Sequence, residues 1–326
     1  MQHLETTFGT LKLKNPLIAA SSGLTNSVDK IKELASQGIG AVVLKSLFEE
    51  QIVYDIEKQI QQSLEYPEVN DYIATYVKTN SVKSYLNLIS EAKSKTTIPI
   101  IASVNCYNNQ RWIEFAKDIQ KAGADALEVN VYFLPTDKNK SSADYENIYF
   151  SLLSNLKKEL SIPIIFKIGN QFTNLTAFLN RLKADGVSGV TMFNRFYEPD
   201  IDIEHLTLTS SEIFSSSSEL RKVIRWIAIA NDKVKGLDIS ASTGIHNHQA
   251  AIKCILAGAS AVQLCSTIYK NSPKVIPEIL SGIEQWMKRK NFASVNDFKG
   301  LLSYKKIPDP GAYERAQFMK HFSNMD

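Results

Sequence analysis

The chain has 326 residues, 44% hydrophobic and 22% charged, with a net charge of +3. That balance suits a folded core and excludes a disordered chain. With no run of five like charges, it also lacks the electrostatic footprint of a nucleic-acid binder.

Residues 1–11 are polar and lack the basic end and apolar core of a signal peptide. No apolar run approaches the roughly 18 residues of a membrane span, so a cytoplasmic protein is expected. A first strand is predicted over 16–21. A phrase then recurs: an amphipathic helix, a glycine, and a short apolar run ending in a polar residue. It occupies 37–45, 122–130, 185–194 and 257–266, with Gly38, Gly123, Gly186 and Gly258 at the junctions. The glycine suits a left-handed helix C-cap, and the apolar run suits a strand buried on both faces. Further strands of the same length are predicted at 99–105, 163–169 and 237–243. Two of these open on Ile-Pro, where proline can start a strand but not sit inside a central one. The strands number eight.

Between them, Trp112, Phe115, Ala116 and Ile119 share a helical face, as do Leu175, Phe178, Leu179 and Leu182, and Ile276, Ile279, Leu280, Ile283 and Met287. Ser216 and Glu219 are spaced as a capping box. Eight strands alternating with helices make either a doubly wound sheet or a closed barrel. A dinucleotide fold would carry G-x-G-x-x-G after its first strand, whereas Gly38 and Gly40 precede a strand with no third glycine following. The prediction is therefore an α/β fold, a (β/α)8 TIM barrel forming a single domain over 1–326. Residues 47–80 and 195–215 are read as insertions at the C-terminal face, where barrels keep their chemistry. Residues 297–326 are read as a C-terminal extension in which Phe298, Leu301, Tyr313 and Phe318 need cover.

The predicted strand ends carry Ser21 and Ser22, Lys45 and Ser46, Asn105, Asn130, Lys167, Asn194, Thr243 and Gly244, and Ser266 and Thr267. A barrel gathers these around one mouth. Lysine is poorly tolerated in a buried strand unless paired. Lys45 and Lys167 are thus either snorkelling surface groups or two fixed charges aimed at an anionic ligand. Ser242-Thr243-Gly244 and Cys265-Ser266-Thr267 each offer hydroxyls and backbone N–H groups at a helix start, for capping or for a phosphate. His246 and His248 make a poor chelate, and Cys106, Cys254 and Cys265 form no C-x-x-C pair, so no metal site is expected. A lysine inside a barrel also leaves open a Schiff-base lyase or aldolase using Lys167.

In chain order, Asn15-Pro16, Ser21-Ser22-Gly23, Val43-Leu44-Lys45-Ser46, Glu128-Val129-Asn130, Phe166-Lys167, Asn194, Ser242-Thr243-Gly244-Ile245 and Gln263-Leu264-Cys265-Ser266-Thr267 resemble the dihydroorotate dehydrogenases. The resemblance runs over about 4–298 and is closest to their soluble class. Ser46-Leu47-Phe48-Glu49-Glu50-Gln51, Phe193-Asn194-Arg195-Phe196-Tyr197 and Pro308-Asp309-Pro310 look like the dihydroorotate-dehydrogenase-like subgroup. The resemblance implies an FMN enzyme oxidising dihydroorotate to orotate, or a related cyclic anion. By position it implies FMN contacts from Ser21, Ser22, Lys45, Ser46, Asn105, Asn130, Lys167, Thr243, Gly244, Ser266 and Thr267. Lys167 would lie beside the pyrimidine edge of the flavin, and Gly244, Ser266 and Thr267 would hold the phosphate. Substrate contacts are implied for Lys45, Asn70, Asn130 and Asn194.

One departure follows Asn130. The family places a catalytic Cys or Ser before Pro-Asn on this loop, whereas this chain reads Val131-Tyr132-Phe133-Leu134-Pro135-Thr136-Asp137. Lys45 and Tyr132 are the catalytic candidates that remain, and a flavin enzyme with a different small substrate is the alternative. With no NAD fingerprint and no iron–sulfur ligands, electrons are expected to leave to a small oxidant or a separate acceptor. A homodimer is expected, with neither nucleic acid nor membrane as partner.

Overall fold

The computed structural model describes residues 2–48, 67–105, 109–131 and 134–315. It opens with a hairpin that the polar N-terminal sequence did not announce. Strands β1 (Thr6–Phe8) and β2 (Leu11–Leu13) pair antiparallel. Phe8 and Leu13 turn inward and pack against Ile18, Val43, Ile101 and Ile165, closing the N-terminal end of a barrel. Gly189 makes room for that plug, since a Cβ there would stand 2.9 Å from the Phe8 ring.

The strands continue as β3 (Leu17–Ala19), β4 (Ala41–Val43), β5 (Leu47–Phe48), β6 (Ile100–Asn105), β7 (Ala126–Asn130), β8 (Ile164–Ile168) and β9 (Gly189–Met192). An exposed hairpin, β10 (Pro199–Asp202) and β11 (Thr207–Ser210), precedes β12 (Ile239–Ser242) and β13 (Ala261–Leu264). The hydrogen-bonded order is β4-β3-β13-β12-β9-β8-β7-β6, and β6 pairs back onto β4. Eight parallel strands thus close a barrel, and they fall in the predicted runs. Short β5 adds to the far end of β6.

The helices are α1 (Val28–Ser36), α2 (Pro67–Lys95), α3 (Asn109–Lys121), α4 (Ser142–Glu159), α5 (Leu175–Ala184), α6 (Leu220–Lys233), α7 (His248–Ala257), α8 (Ser266–Asn271), α9 (Val275–Lys290) and α10 (Gly311–Glu314). The junction glycines Gly38, Gly123, Gly186 and Gly258 have φ of 93°, 96°, 88° and 127°, the region the C-cap requires. The predicted apolar faces are buried at Phe115, Ala116 and Ile119, along α5, and along most of α9. Ser216 and Glu219 form the capping box ahead of α6. Among the described residues, no helix is long and apolar enough to cross a membrane.

Residues 67–80, the later part of the segment read as an insertion, belong to α2. In the C-terminal extension Phe298 is buried against Trp286 and Phe292, and Tyr313 donates to the Leu302 carbonyl at 2.6 Å. Leu301 stays 42% exposed and needs no cover. Phe318 lies outside the described residues.

Candidate active site

The C-terminal strand ends surround a cavity of about 1250 Å³, continuous along Ser21, Lys167, Asn194 and Thr243 with a narrower one of about 350 Å³. Ser21, Ser22, Lys45, Ser46, Asn105, Asn130, Lys167, Asn194 and Thr243 line the larger space. Gly244 and Ser266 line the narrower one, with Ser242 and Cys265. Strand register explains the convergence. Asn105 pairs with Asn130, and Asn130 with Lys167, so three strand-end residues stand at one level of the barrel. Inward positions recur every second residue, which places Ser103 and Glu128 on the same side, one step deeper.

That deeper level is a buried polar network beneath the cavity. Glu128 Oε2 accepts from Gln263 Nε2 at 2.7 Å and from Thr191 Oγ1 at 3.1 Å. Gln263 Nε2 also reaches Thr191 Oγ1 at 3.1 Å, while its Oε1 accepts from Lys167 Nζ at 3.3 Å. Lys167 Nζ stands 4.0 Å from Glu128 Oε1. The paired carboxylate is what allows a lysine to be buried here. Only one of its three N–H groups is taken by this network, which leaves donors for the cavity.

At the mouth, Asn194 Nδ2 donates to Asn130 Oδ1 at 2.8 Å. The bond leaves Asn194 Oδ1 as an acceptor and Asn130 Nδ2 as a donor. Lys45 lines the same space, and its ammonium has no hydrogen-bond or ion-pair partner among the described residues. Ser21 and Ser46 are joined at 3.0 Å, and Ser46 meets buried Ser103 at 2.7 Å. Tyr85 braces this row from α2, donating to the Ser103 carbonyl at 2.9 Å, and burial pushes its phenol well above the usual range.

The narrower end is built from the turns after β12 and β13. Gly244, at φ 79°, lets the first turn pass close to α6, where a Cβ would lie 2.5 Å from the Leu220 nitrogen. Thr243 Oγ1 donates to the Phe193 carbonyl at 3.0 Å. Ser266 Oγ accepts from the Ser215 N–H at 3.0 Å, which keeps its own hydrogen for a ligand. The Thr267 side chain is fully buried, and its hydroxyl donates to the His246 carbonyl at 3.2 Å. His246 Nε2 meets Ser215 Oγ at 3.2 Å, and burial, with Lys270 nearby, holds the imidazole below its usual range. Burial raises the Cys265 thiol, opposed by Ser22 and Lys167. Among the described residues, no cluster of three or more His, Cys, Asp or Glu could hold a metal ion.

Asn70 falls on α2, and Tyr132 lies outside the described residues. The sequence reading quoted Glu128, Gln263 and Arg195 within motifs but gave none of them a role. Arg195 donates to Glu219 at 3.3 Å and to the carbonyls of Ile213 and Glu212 at 2.9 and 2.6 Å. It thereby ties both ends of the 195–215 insertion together beside the cavity. For Glu128 a signal was present, because a carboxylate two residues before Asn130 shares its face of the strand.

Comparison with known proteins agrees with this geometry. The dihydroorotate dehydrogenase family model matches residues 3–287. The catalytic subunit of dihydroorotate dehydrogenase B (NAD(+)) from Thermoplasma volcanium is 26% identical, covering 92% of this chain and 99% of the relative. The corresponding subunit from Pyrococcus horikoshii is also 26% identical, over 91% and 97% of the two chains. That from Methanosarcina mazei is 26% identical over 92% and 95%. With the match spanning most of its length and a barrel whose polar groups gather at one mouth, the chain belongs to the dihydroorotate dehydrogenase family.

Proposed function

We propose that the protein is an FMN-dependent oxidoreductase acting on CH–CH donors, oxidising dihydroorotate to orotate in pyrimidine biosynthesis. The observation that carries this reading is the convergence of Lys45, Lys167 and the Asn130–Asn194 pair on one cavity, in a chain of this family. When bound, FMN supplies the hydride acceptor.

The residues present fit that group. Lys167 offers an ammonium with unspent donors at the cavity floor, suited to a ring edge that gains negative charge on reduction. Gly244 and Ser266 border the narrow end, where backbone N–H groups and a free hydroxyl suit a phosphate. Ser21, Ser22, Ser46, Asn105 and Thr243 add hydrogen-bonding groups around the larger cavity. The Asn130–Asn194 pair presents a donor and an acceptor side by side, matching the alternating edge of a pyrimidine. Lys45 places a positive charge, unpaired among the described residues, where a substrate carboxylate fits. Tyr132 is the candidate to take the proton that leaves carbon, with the Lys45 ammonium beside it in the proposed site to balance the negative charge that develops.

The Schiff-base reading of Lys167 is disfavoured. A nucleophilic lysine needs an apolar or cationic surrounding, whereas this one is paired with Glu128. A flavin enzyme with a different small substrate is the alternative, and it rests on residues 131–137, which hold neither Cys nor Ser. The names of the relatives favour dihydroorotate over it.

Those relatives are named as catalytic subunits of an NAD(+) enzyme. This chain carries no dinucleotide fingerprint, so a separate electron acceptor completes the proposed cycle. We also propose a homodimer, supported by Ile201, Ile203, Leu206 and Leu208, which are exposed on or beside the β10–β11 hairpin. Light scattering of the purified protein checks this, and a monomer at micromolar concentration would refute it. The activity is tested by anaerobic titration of the flavin-loaded protein with dihydroorotate. Loss of the oxidised flavin absorbance with formation of orotate is expected, and an unbleached flavin at saturating substrate would refute the assignment.

A further inference from the structure

The barrel holds one fully buried carboxylate that the proposed reaction does not use. Glu128 sits mid-strand in β7, flanked by Leu127 and Val129, and is 0% exposed. An ionised carboxylate so placed loses its water and is tolerated only against compensating partners. Its two oxygens are treated differently. Oε2 accepts from Gln263 and Thr191, whereas Oε1 accepts no hydrogen bond and has Lys167 Nζ at 4.0 Å. That separation exceeds hydrogen-bond distance, so the carboxylate acts on the ammonium through its field rather than by capturing a proton donor.

Gln263 fixes this arrangement. Its Nε2 is spent on Glu128 and Thr191, which turns its Oε1 toward Lys167. The ammonium is thus held from beneath by one neutral acceptor, with a negative charge standing behind it. Strand register puts Glu128 one inward step deeper than Lys167, because Lys167 pairs with Asn130 and Glu128 pairs with Ile165. The carboxylate is therefore on the side of Lys167 away from the mouth.

We propose that Glu128 is a positioning residue that sets the redox poise of the bound flavin through Lys167. It holds the ammonium at the cavity floor and offsets part of its charge. This inference rests on the FMN reading above. The Lys167 charge favours the anionic reduced flavin, and Glu128 limits that preference. A buried charge pair in low dielectric is felt strongly over such a distance.

The test is the potential of the flavin-loaded protein, read as the reduced-to-oxidised ratio against a reference dye at fixed pH. Glu128→Gln keeps the shape and removes the charge. It is expected to move the ratio at least tenfold toward reduced flavin, about 30 mV for a two-electron couple. Glu128→Asp keeps the charge but withdraws it by one methylene, so it should move the ratio the same way by less. Either variant suffices if the other fails to fold. A carboxylate that merely fills space would leave the potential where it was. A folded, flavin-loaded variant at or below the wild-type potential would overturn the proposal alone. A wild-type protein that binds no FMN on reconstitution would overturn the cofactor reading, and this proposal with it.

Discussion

Asn194 Nδ2 donates to Asn130 Oδ1 at 2.8 Å, joining residues 64 positions apart and bridging β7 to the end of β9 over the strand that carries Lys167. Each amide fixes the other's rotamer, so the pair is oriented before any ligand arrives. Such preorganisation reduces the ordering cost of binding.

Asn194→Ala should remove one ligand acceptor and leave Asn130 free to rotate. A lost hydrogen bond is worth about 1 kcal/mol, so orotate affinity should fall roughly fivefold with flavin content unchanged. Titrating orotate against the flavin absorbance measures this. Wild-type affinity in the variant would show that the pair faces away from the ligand.

The cofactor released by acid or heat should be FMN rather than FAD. The narrow cavity of about 350 Å³ offers one phosphate-sized end at Gly244 and Ser266, and no glycine-rich fingerprint awaits a second phosphate. Mass spectrometry of the released cofactor decides between them, and FAD would contradict the reading of both turns.

Lys167→Ala should weaken flavin binding or lower the flavin's reduction potential. Its charge acts more on the anionic reduced form than on neutral oxidised flavin. Because Glu128 would then be buried unpaired, some loss of stability should accompany the change. An unchanged potential at full occupancy would place Lys167 away from the flavin.

Seven of the eight barrel strands were legible as mainly apolar runs that follow a helix-ending glycine or a leading proline, whereas Ile239–Ser242 alternates apolar and hydroxyl residues. The additional strands were not. β1 and β2 span three residues each, too few for a pattern. Pro199-Asp200-Ile201-Asp202 has no buried face, so nothing about its polarity marks a strand.

In the site, the last residue of each apolar run was informative, since a barrel brings those positions together. Side-chain direction beyond the strand was not: Thr267 lies one residue past Ser266, yet its hydroxyl turns inward to His246. Arg195 was illegible for another reason. Two of its partners are main-chain carbonyls 17 and 18 residues away, and carbonyls carry no sequence signature.

Alkaline pH should destabilise the protein through Cys254. Burial in α7 pushes this thiol up to about 12, against about 8.5 in an unfolded chain. Between those values the native state binds more protons, so its stability falls as pH rises. Lys299, lowered by burial despite Asp238, works oppositely: the unfolded state binds its proton more tightly, so its contribution grows toward alkaline pH. Cys254→Ala should cost about 1 kcal/mol at pH 7 from lost apolar burial and flatten the decline above about pH 9. Urea unfolding across pH measures both, and an equally steep decline in the variant would remove Cys254 as its cause.

Dihydroorotate should reduce the flavin slowly. A positioned general base contributes about 10² to 10⁴ in rate, and residues 131–137 contain neither the Cys nor the Ser that the family uses. At the start of this loop Val131 is buried, and its carbonyl accepts from Tyr149 Oη at 3.0 Å. Tyr132, outside the described residues, could serve only if its pKa fell well below about 10. Asp137 is exposed, accepts from the Asn139 N–H at 3.0 Å, and is turned toward its own turn. The expected reduction rate is therefore at least roughly a hundredfold below that of a Cys- or Ser-containing relative. Installing the missing group by Phe133→Cys or Leu134→Cys should recover part of the deficit, with a thiol's pH dependence near 8.5. Stopped-flow reduction of the wild type and both variants compares the rates directly. A wild type as fast as those relatives would mean that the proton leaves by a group outside residues 131–137.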